Sequence, residues 1–459
     1  MGTDAPTTVT IPVHCAPKKA PCPKCGKHGR RARKLTPRLV RTVAYKTIVY
    51  LEIICGEYRA QCDCCTTFRN TPEGVLPRAH YDNKVRDLVL DRILKDGMNI
   101  ERTLESLHRE FLLDLSTGFV YDVLRDRVEQ LNLADHRRRV LENFSGTLCV
   151  DELHLGQFTL LLATDPIRDL PVAFALVSAN DQDHMRGFLK NLKTWGLMPQ
   201  VVITDGSNLY PAVLGELWPA ADHQLCVFHI IKEINKRILD ALRRLRMAMQ
   251  RRGQAGRKKK RGRKGAKRRT RRGVTLKEKS AFVFQHRHLI VTRPEKLTES
   301  QRDDLRRMQE YLPELATLRR FAERIYWLFD TPKDYHQASC RRAVIVRDPA
   351  FLAVPELNKA LEQLSAEKFP KMMAYLNNPV SQRVRTNNHV ERTNRMVRFW
   401  EKVRYKWRRR KTLVRFVVLR LDEIWSHWVA PEAREPKSPK VARRRKAKAS
   451  TGQEPRRVA

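Results

Sequence analysis

Between Thr42 and Ile54 the chain reads TVAYKTIVYLEII. β-Branched and aromatic residues crowd and alternate there, which predicts strand. From 83 to 133 the apolar spacing changes to a helical period. In VRDLVLDRILKDG, Val85, Leu88, Leu90 and Ile93 fall near one face, and Gly97 is placed to end the helix. IERTLESLHREF predicts a second helix and FVYDVLRDRVEQL a third, with Ser116 or Thr117 as its N-cap. Three helices on short turns fit a helix-turn-helix over 80–135, with a plain helical linker bundle as the alternative.

From about 146 the order becomes strand, strand, strand, helix, strand, helix: TLCVDELHL, FTLLLATD, LPVAFALVSA, DHMRGFLKNLKTW, VVITDG and LYPAVLGELW. HQLCVFH adds a short strand that runs into the helix IIKEINKRILDALRRL. Three consecutive strands and then alternation predict a mixed sheet with helical cover, in a multidomain α/β chain. Residues 295–378 are helical in pattern, with Trp327, Phe329 and Tyr375 as expected core anchors. Residues 1–20 are expected to be a disordered leader, and 431–459 a basic disordered tail.

Charge changes the picture. The 459 residues carry 91 Lys plus Arg against 50 Asp plus Glu, a formal net charge of +41. Such an excess points to a polyanionic partner, because each cation that meets a phosphate releases condensed counterions. Residues 251–273 hold 14 Lys or Arg and no acid, which reads as a flexible arm. Hydrophobic residues make up 42%, enough for real cores. No run of about 18 apolar residues exists, so no transmembrane helix is expected. The N-terminus lacks the basic and apolar regions of a secretory signal.

Seven of the ten cysteines precede residue 66, which suggests metal in a reducing compartment. Cys22-Pro-Lys-Cys25 is a knuckle followed by Gly26, and Cys62-Asp-Cys64-Cys65 offers a second, 36 residues on. Two thiolate pairs on tight turns can hold a tetrahedral structural zinc. The expected ligands are Cys22, Cys25, Cys62 and Cys65; Cys64 is the alternative to Cys65, and His28 stays open as an intruder. The ribbon would span 21–75.

Three acids stand where a sheet would expose them. Asp151 lies inside the first strand of the mixed sheet, Asp205 closes VVITDG, and Glu391 lies in the helical TNNHVERTNRMVRFWEKVR. Hard divalent cations take oxygen ligands, so three carboxylates on neighbouring elements could hold a pair of Mg²⁺ or Mn²⁺ ions. Each acid has a plainer reading. Asp205 suits a turn. Asn388-x-x-Glu391 has the shape of a capping box. Asp151 neighbours Glu152, and only one of the two can face the site, so Glu152 is expected at the surface. Asp165, Asp181 and Asp183 read as strand-end and cap residues.

In order, VDELHLG, VVITDGSNLYP, HQLCVFHIIKEINK and TNNHVERTNRMVRFWEKVRY resemble the signatures of DDE transposases of bacterial insertion sequences. With CPKCG…CDCC before them, the chain is most similar to the zinc-ribbon-bearing ISL-three (ISL3) branch, over roughly 20–430. The resemblance implies an RNase H-like core, in two parts over 145–240 and 381–430. Asp151, Asp205 and Glu391 match the family's catalytic, metal-binding acids. The spacings are 54 and 186 residues, and the long second gap implies a helical insertion over 241–380. Cys226-x-x-His229 matches a motif of such families; its plain reading is a buried strand cysteine and a helix-start histidine.

The resemblance further implies metal-dependent cleavage at transposon ends and transfer of the freed 3′-OH to target DNA. The ribbon and helix-turn-helix would read terminal inverted repeats. At least a homodimer would act in the synaptic complex, in a bacterial cytoplasm and nucleoid. Trp400, Tyr405 and Trp407 interleave with Arg404, Lys406 and Arg408–Arg410, a composition suited to stacking and backbone tracking, or to a solvated face over core aromatics. A non-catalytic domesticated regulator, or a simple nuclease on the same core, would share the charge but not the whole set of features.

Overall fold

The computed structural model describes residues 7–255, 274–330, 332–381, 384–403 and 409–429. It is a mixed α/β structure with two mixed sheets. The first comprises β1 (Thr8–Cys15), β2 (Lys19–Pro21), β3 (His28–Lys34), β4 (Arg38–Thr42), β5 (Ile48–Cys62) and β6 (Cys65–Arg69). The 15-residue β5 is its spine: β1 runs parallel to it, and β3, β4 and β6 antiparallel.

Two expectations are corrected here. Most of the expected leader is not free chain, because β1 pairs with β5 from Thr8 to Cys15. Thr8, Val9, Thr10 and Ile11 are β-branched and favour extended backbone. The single strand expected over 42–54 is a hairpin: Thr42 pairs with Val49, and Lys46 adopts φ 53° in the turn between them.

Four helices follow: α1 (Asn83–Leu90), α2 (Ile100–Phe111), α3 (Thr117–Glu129) and α4 (Leu133–Asn143). Asp82, Asn99 and Ser116 accept from backbone N–H groups in the first turns of α1, α2 and α3. Ser116 rather than Thr117 is therefore the cap. One π-helical turn, Asp91–Lys95, extends α1 to the region of Gly97, at φ 69°. α4 continues past 135, where the helical stretch was expected to stop, and buries His136 and Val140.

The second sheet holds β7 (Thr147–Leu155), β8 (Phe158–Asp165), β9 (Leu170–Val177), β10 (Val201–Thr204) and β11 (Asp222–Leu225). Its order is β11-β10-β7-β8-β9, with β8 antiparallel to both neighbours and β10 parallel to β7 and β11. α5 (Gln182–Thr194) and α6 (Tyr210–Leu217) are the crossovers into β10 and β11. Asp181 caps α5, and Asp165 closes β8 by accepting from the backbone of Ser145, Ile167 and Arg168.

β11 runs straight into the long helix α7 (Val227–Ala255). The helix expected from Ile230 thus begins three residues earlier, at Val227. With α8 (Leu276–Gln285), α9 (Glu299–Tyr311), α10 (Leu315–Asp330), α11 (Tyr335–Val346), α12 (Pro349–Leu352), α13 (Pro355–Leu361) and α14 (Lys368–Met373), α7 shares a separate core. Phe329 and Tyr375 are buried in it. Trp327 is 37% exposed, between Arg324 and Arg341; Ile325, Leu328 and Phe329 take the inward face of α10 and leave Trp327 on its outer side.

The chain then returns to the second sheet. α15 (Asn388–Val403) packs on β7 and β8, and α16 (Arg410–Ser426) on β9 and α3. Val390, Val397 and Trp400 tie α15 to the sheet's core. Tyr405 and Trp407, most of the basic stretch 251–273 and the tail from 431 lie outside the described residues. No described helix is long and apolar enough to cross a membrane.

Candidate active site and cysteine cluster

Asp151 sits mid-way along the central strand β7, and its carboxyl is half-buried. Asn394 of α15 donates to its Oδ2 at 2.8 Å. Burial first, and then the charge of Glu152, push the Asp151 carboxyl up to about 7. Asp205 follows the last residue of β10, the strand beside β7, and its Oδ1 accepts from the Ser207 backbone at 2.8 Å. Its charge adds to the upward push on both Asp151 and Glu152.

Glu391 occupies the first turn of α15. Its backbone N–H goes to Asn387, while its carboxyl lies 3.6 Å from His229 Nε2 and 3.7 Å from Arg395. The helix start is locked from below. Asn387 donates through Nδ2 to the Val150 carbonyl on β7 at 3.0 Å, and its N–H meets Cys226 Sγ at 3.2 Å. The Val227 N–H bonds the Arg385 carbonyl. Cys226 and His229 thus flank the start of α15, a juxtaposition that the motif alone did not disclose.

Asp151 and Glu391 line one cleft of about 290 Å³ with Glu152, His229, Lys232 and Arg395. The three acids do not close on one point. Among the described residues, only four cysteines form a group of metal-ligating side chains whose ligand atoms all lie within 4.8 Å.

The expected surface position of Glu152 is corrected. The buried Tyr210 hydroxyl donates to Glu152 Oε2, and Asn180 Nδ2 donates to Oε1 at 3.4 Å. Strand alternation still holds: Asp151 turns towards α15 and Glu152 towards α6. Residue spacing could not reveal that both faces are covered.

The donor set suits hard cations. Glu391 Oε1 is buried with no hydrogen-bond partner, and Asp151 is a carboxyl whose charge burial disfavours. A divalent cation would compensate both.

In the first sheet, Cys22 and Cys25 flank a knuckle closed by Gly26, whose φ of 79° a side chain rarely tolerates. Cys22, Cys25, Cys62 and Cys64 gather within 4.8 Å. Cys65 was the expected fourth ligand with Cys64 as its alternative, and the gathered group includes Cys64. Cys62 and Cys65 pair across β5 and β6, so Cys64 projects from the two-residue turn. It reaches Cys25 at 3.4 Å and Cys22 at 3.6 Å. Cys65 opens β6, lies 3.5 Å from Cys22 and packs on the small core around Tyr58 and Phe68. Backbone donation, chiefly from Lys24, draws the Cys22 thiol down to about 6. Four thiols with no open position fit a structural zinc ribbon; His28 is not among them.

A family model for ISL3 transposases, described as a transposase, matches residues 148–413. No curated protein matches the chain.

Proposed function

The chain belongs to the ISL3 transposase family, and from that premise we propose that it cuts and joins DNA with Asp151, Asp205 and Glu391. Membership implies DNA as the partner and a DNA-cutting and joining activity. The observation that carries the assignment of residues is that Asp151 and Glu391, 240 positions apart, line one cleft, while the charge of Asp205, just past the end of the neighbouring strand, acts on Asp151. We read the second sheet as RNase H-like: three antiparallel strands in sequence, then two strands added parallel on the far side of the first.

Mg²⁺ or Mn²⁺ held by the three acids would activate the attacking oxygen and stabilise the leaving one. The chain's own groups set the stage. Asn394 holds Asp151 Oδ2 and so orients its carboxylate. His229 and Arg395 flank Glu391. Lys232, Arg395 and Arg398 line the cleft and would grip phosphates at the scissile bond. Water attack would free a 3′-OH at the transposon end, and the same groups would hold that hydroxyl in line with a target phosphodiester. The zinc ribbon and helices α1–α4 would read the terminal inverted repeats, with two copies of the chain bridging paired ends.

Asp151→Ala tests this. Metal-dependent nicking of end-bearing DNA is expected to vanish while end binding persists. Surviving cleavage overturns the assignment, and a wild-type protein that binds ends but never nicks them is a regulator.

A further inference from the structure

A second groove, more than twice the volume of the acidic cleft, lies beside it. It measures about 720 Å³ and runs between α7, α8 and the turn that follows α8. Lys232, Lys236, Arg243, Arg246 and Arg287 line it against one acid, Asp240. Lys232, Arg243 and Arg246 have no ion-pair partner among the described residues, and Arg246 Nε is buried with no hydrogen-bond acceptor. Lys232 and Arg246 are 14 positions apart on α7, about 21 Å along its axis at 1.5 Å per residue. At about 3.4 Å per stacked nucleotide that is roughly six phosphates.

Two aromatic faces open into the same groove. Phe228 is 44% exposed and Phe284 46% exposed. The guanidinium groups of Arg246 and Arg287 lie 4.5 and 4.3 Å from the Phe284 ring centroid. Cations alone would suit any phosphate chain. The exposed Phe228 ring, and Phe284 with the planar guanidinium groups layered on it, add surfaces for base faces, which a duplex keeps stacked inside. The groove is also continuous with the acids, because Phe228 and Lys232 line both it and the cleft that holds Asp151 and Glu391.

We propose that this groove binds an unpaired DNA strand leading away from the cleavage cleft, with bases stacked on Phe228 and Phe284 and phosphates on the α7 cations. It rests on the reading of the cleft as the cutting site and adds to it the form of DNA held beside that site: single-stranded.

The test uses the full-length protein without metal and a twelve-residue oligothymidylate carrying 5-iodouracil, cross-linked by light and mapped by peptide sequencing. Cross-links at Phe228 or Phe284 are expected. Phe284→Ala should weaken oligothymidylate binding roughly tenfold, since one lost base stack typically has that effect. Phe284→Trp should retain binding, and both variants should keep the wild-type circular dichroism. Cross-links confined to other segments, or unchanged affinity in a folded Phe284→Ala protein, overturn the proposal. Asp151→Ala should cross-link like the wild type. Nicking that depends on Asp151 alongside absent groove cross-links discards the groove alone. Groove cross-links alongside Asp151-independent nicking discard the assignment of the acids, and with it the groove's role in leading a strand from them.

Discussion

At the scale of single residues, the half-buried Asp151 is the clearest departure from ordinary chemistry. Its ordinary value of 3.8 is lifted to about 7, chiefly by burial. The folded chain then binds that proton more tightly than the unfolded chain. Metal-free stability therefore falls as pH rises from about 4 to about 7, and the full cost is present above 7. Asp151→Asn, without metal, should melt above the wild type at pH 8 and with it near pH 4, as read by calorimetry. Mg²⁺ should raise the wild-type melting temperature at pH 8 and leave the variant unchanged. Glu152 makes a different point. The buried Tyr210 hydroxyl donates to its carboxyl, so Tyr210→Phe, which leaves that acceptor without its partner, should cost about 1–3 kcal/mol in urea unfolding.

At the scale of elements, the cysteine knuckles carry a prediction of their own. Cys64→Ser should lose bound zinc and destabilise the sheet of β1–β6, whereas Cys65→Ser should keep zinc near one ion per chain, as measured by atomic absorption. Zinc kept in Cys64→Ser and lost in Cys65→Ser would move the fourth ligand back to Cys65. The difference between the two was not legible in the sequence, because it depends on where the β5–β6 turn falls. Much else was. Helical periodicity found α2 to the residue, and β7 to β9 followed from their apolar runs. β1 was missed because its partner strand lies 40 positions further on, and pairing over that distance leaves no mark in local spacing. The role of Glu152 was hidden because alternation says which way a side chain points and not what stands opposite it. Asn394 and the Cys226–His229 flank were invisible for the same reason: their partners lie 243 and about 160 positions away.

At the scale of the whole molecule, two facts govern behaviour: a formal charge of +41, and a cleft built from chain segments on either side of a helical unit. The charge predicts binding that weakens steeply with salt, with a log–log slope near −0.9 per neutralised phosphate. Deleting 256–273, which removes 12 of the basic residues, should make that slope shallower in anisotropy titrations without moving the position of the nick. The cleft predicts that Glu391 acts with Asp151 although α7 to α14 intervene between them. The most direct test is nicking of end-bearing DNA by Glu391→Gln at saturating Mn²⁺, with end binding followed in parallel. Retained binding with no detectable nick is the expected result; a nick formed at the wild-type rate contradicts the shared cleft.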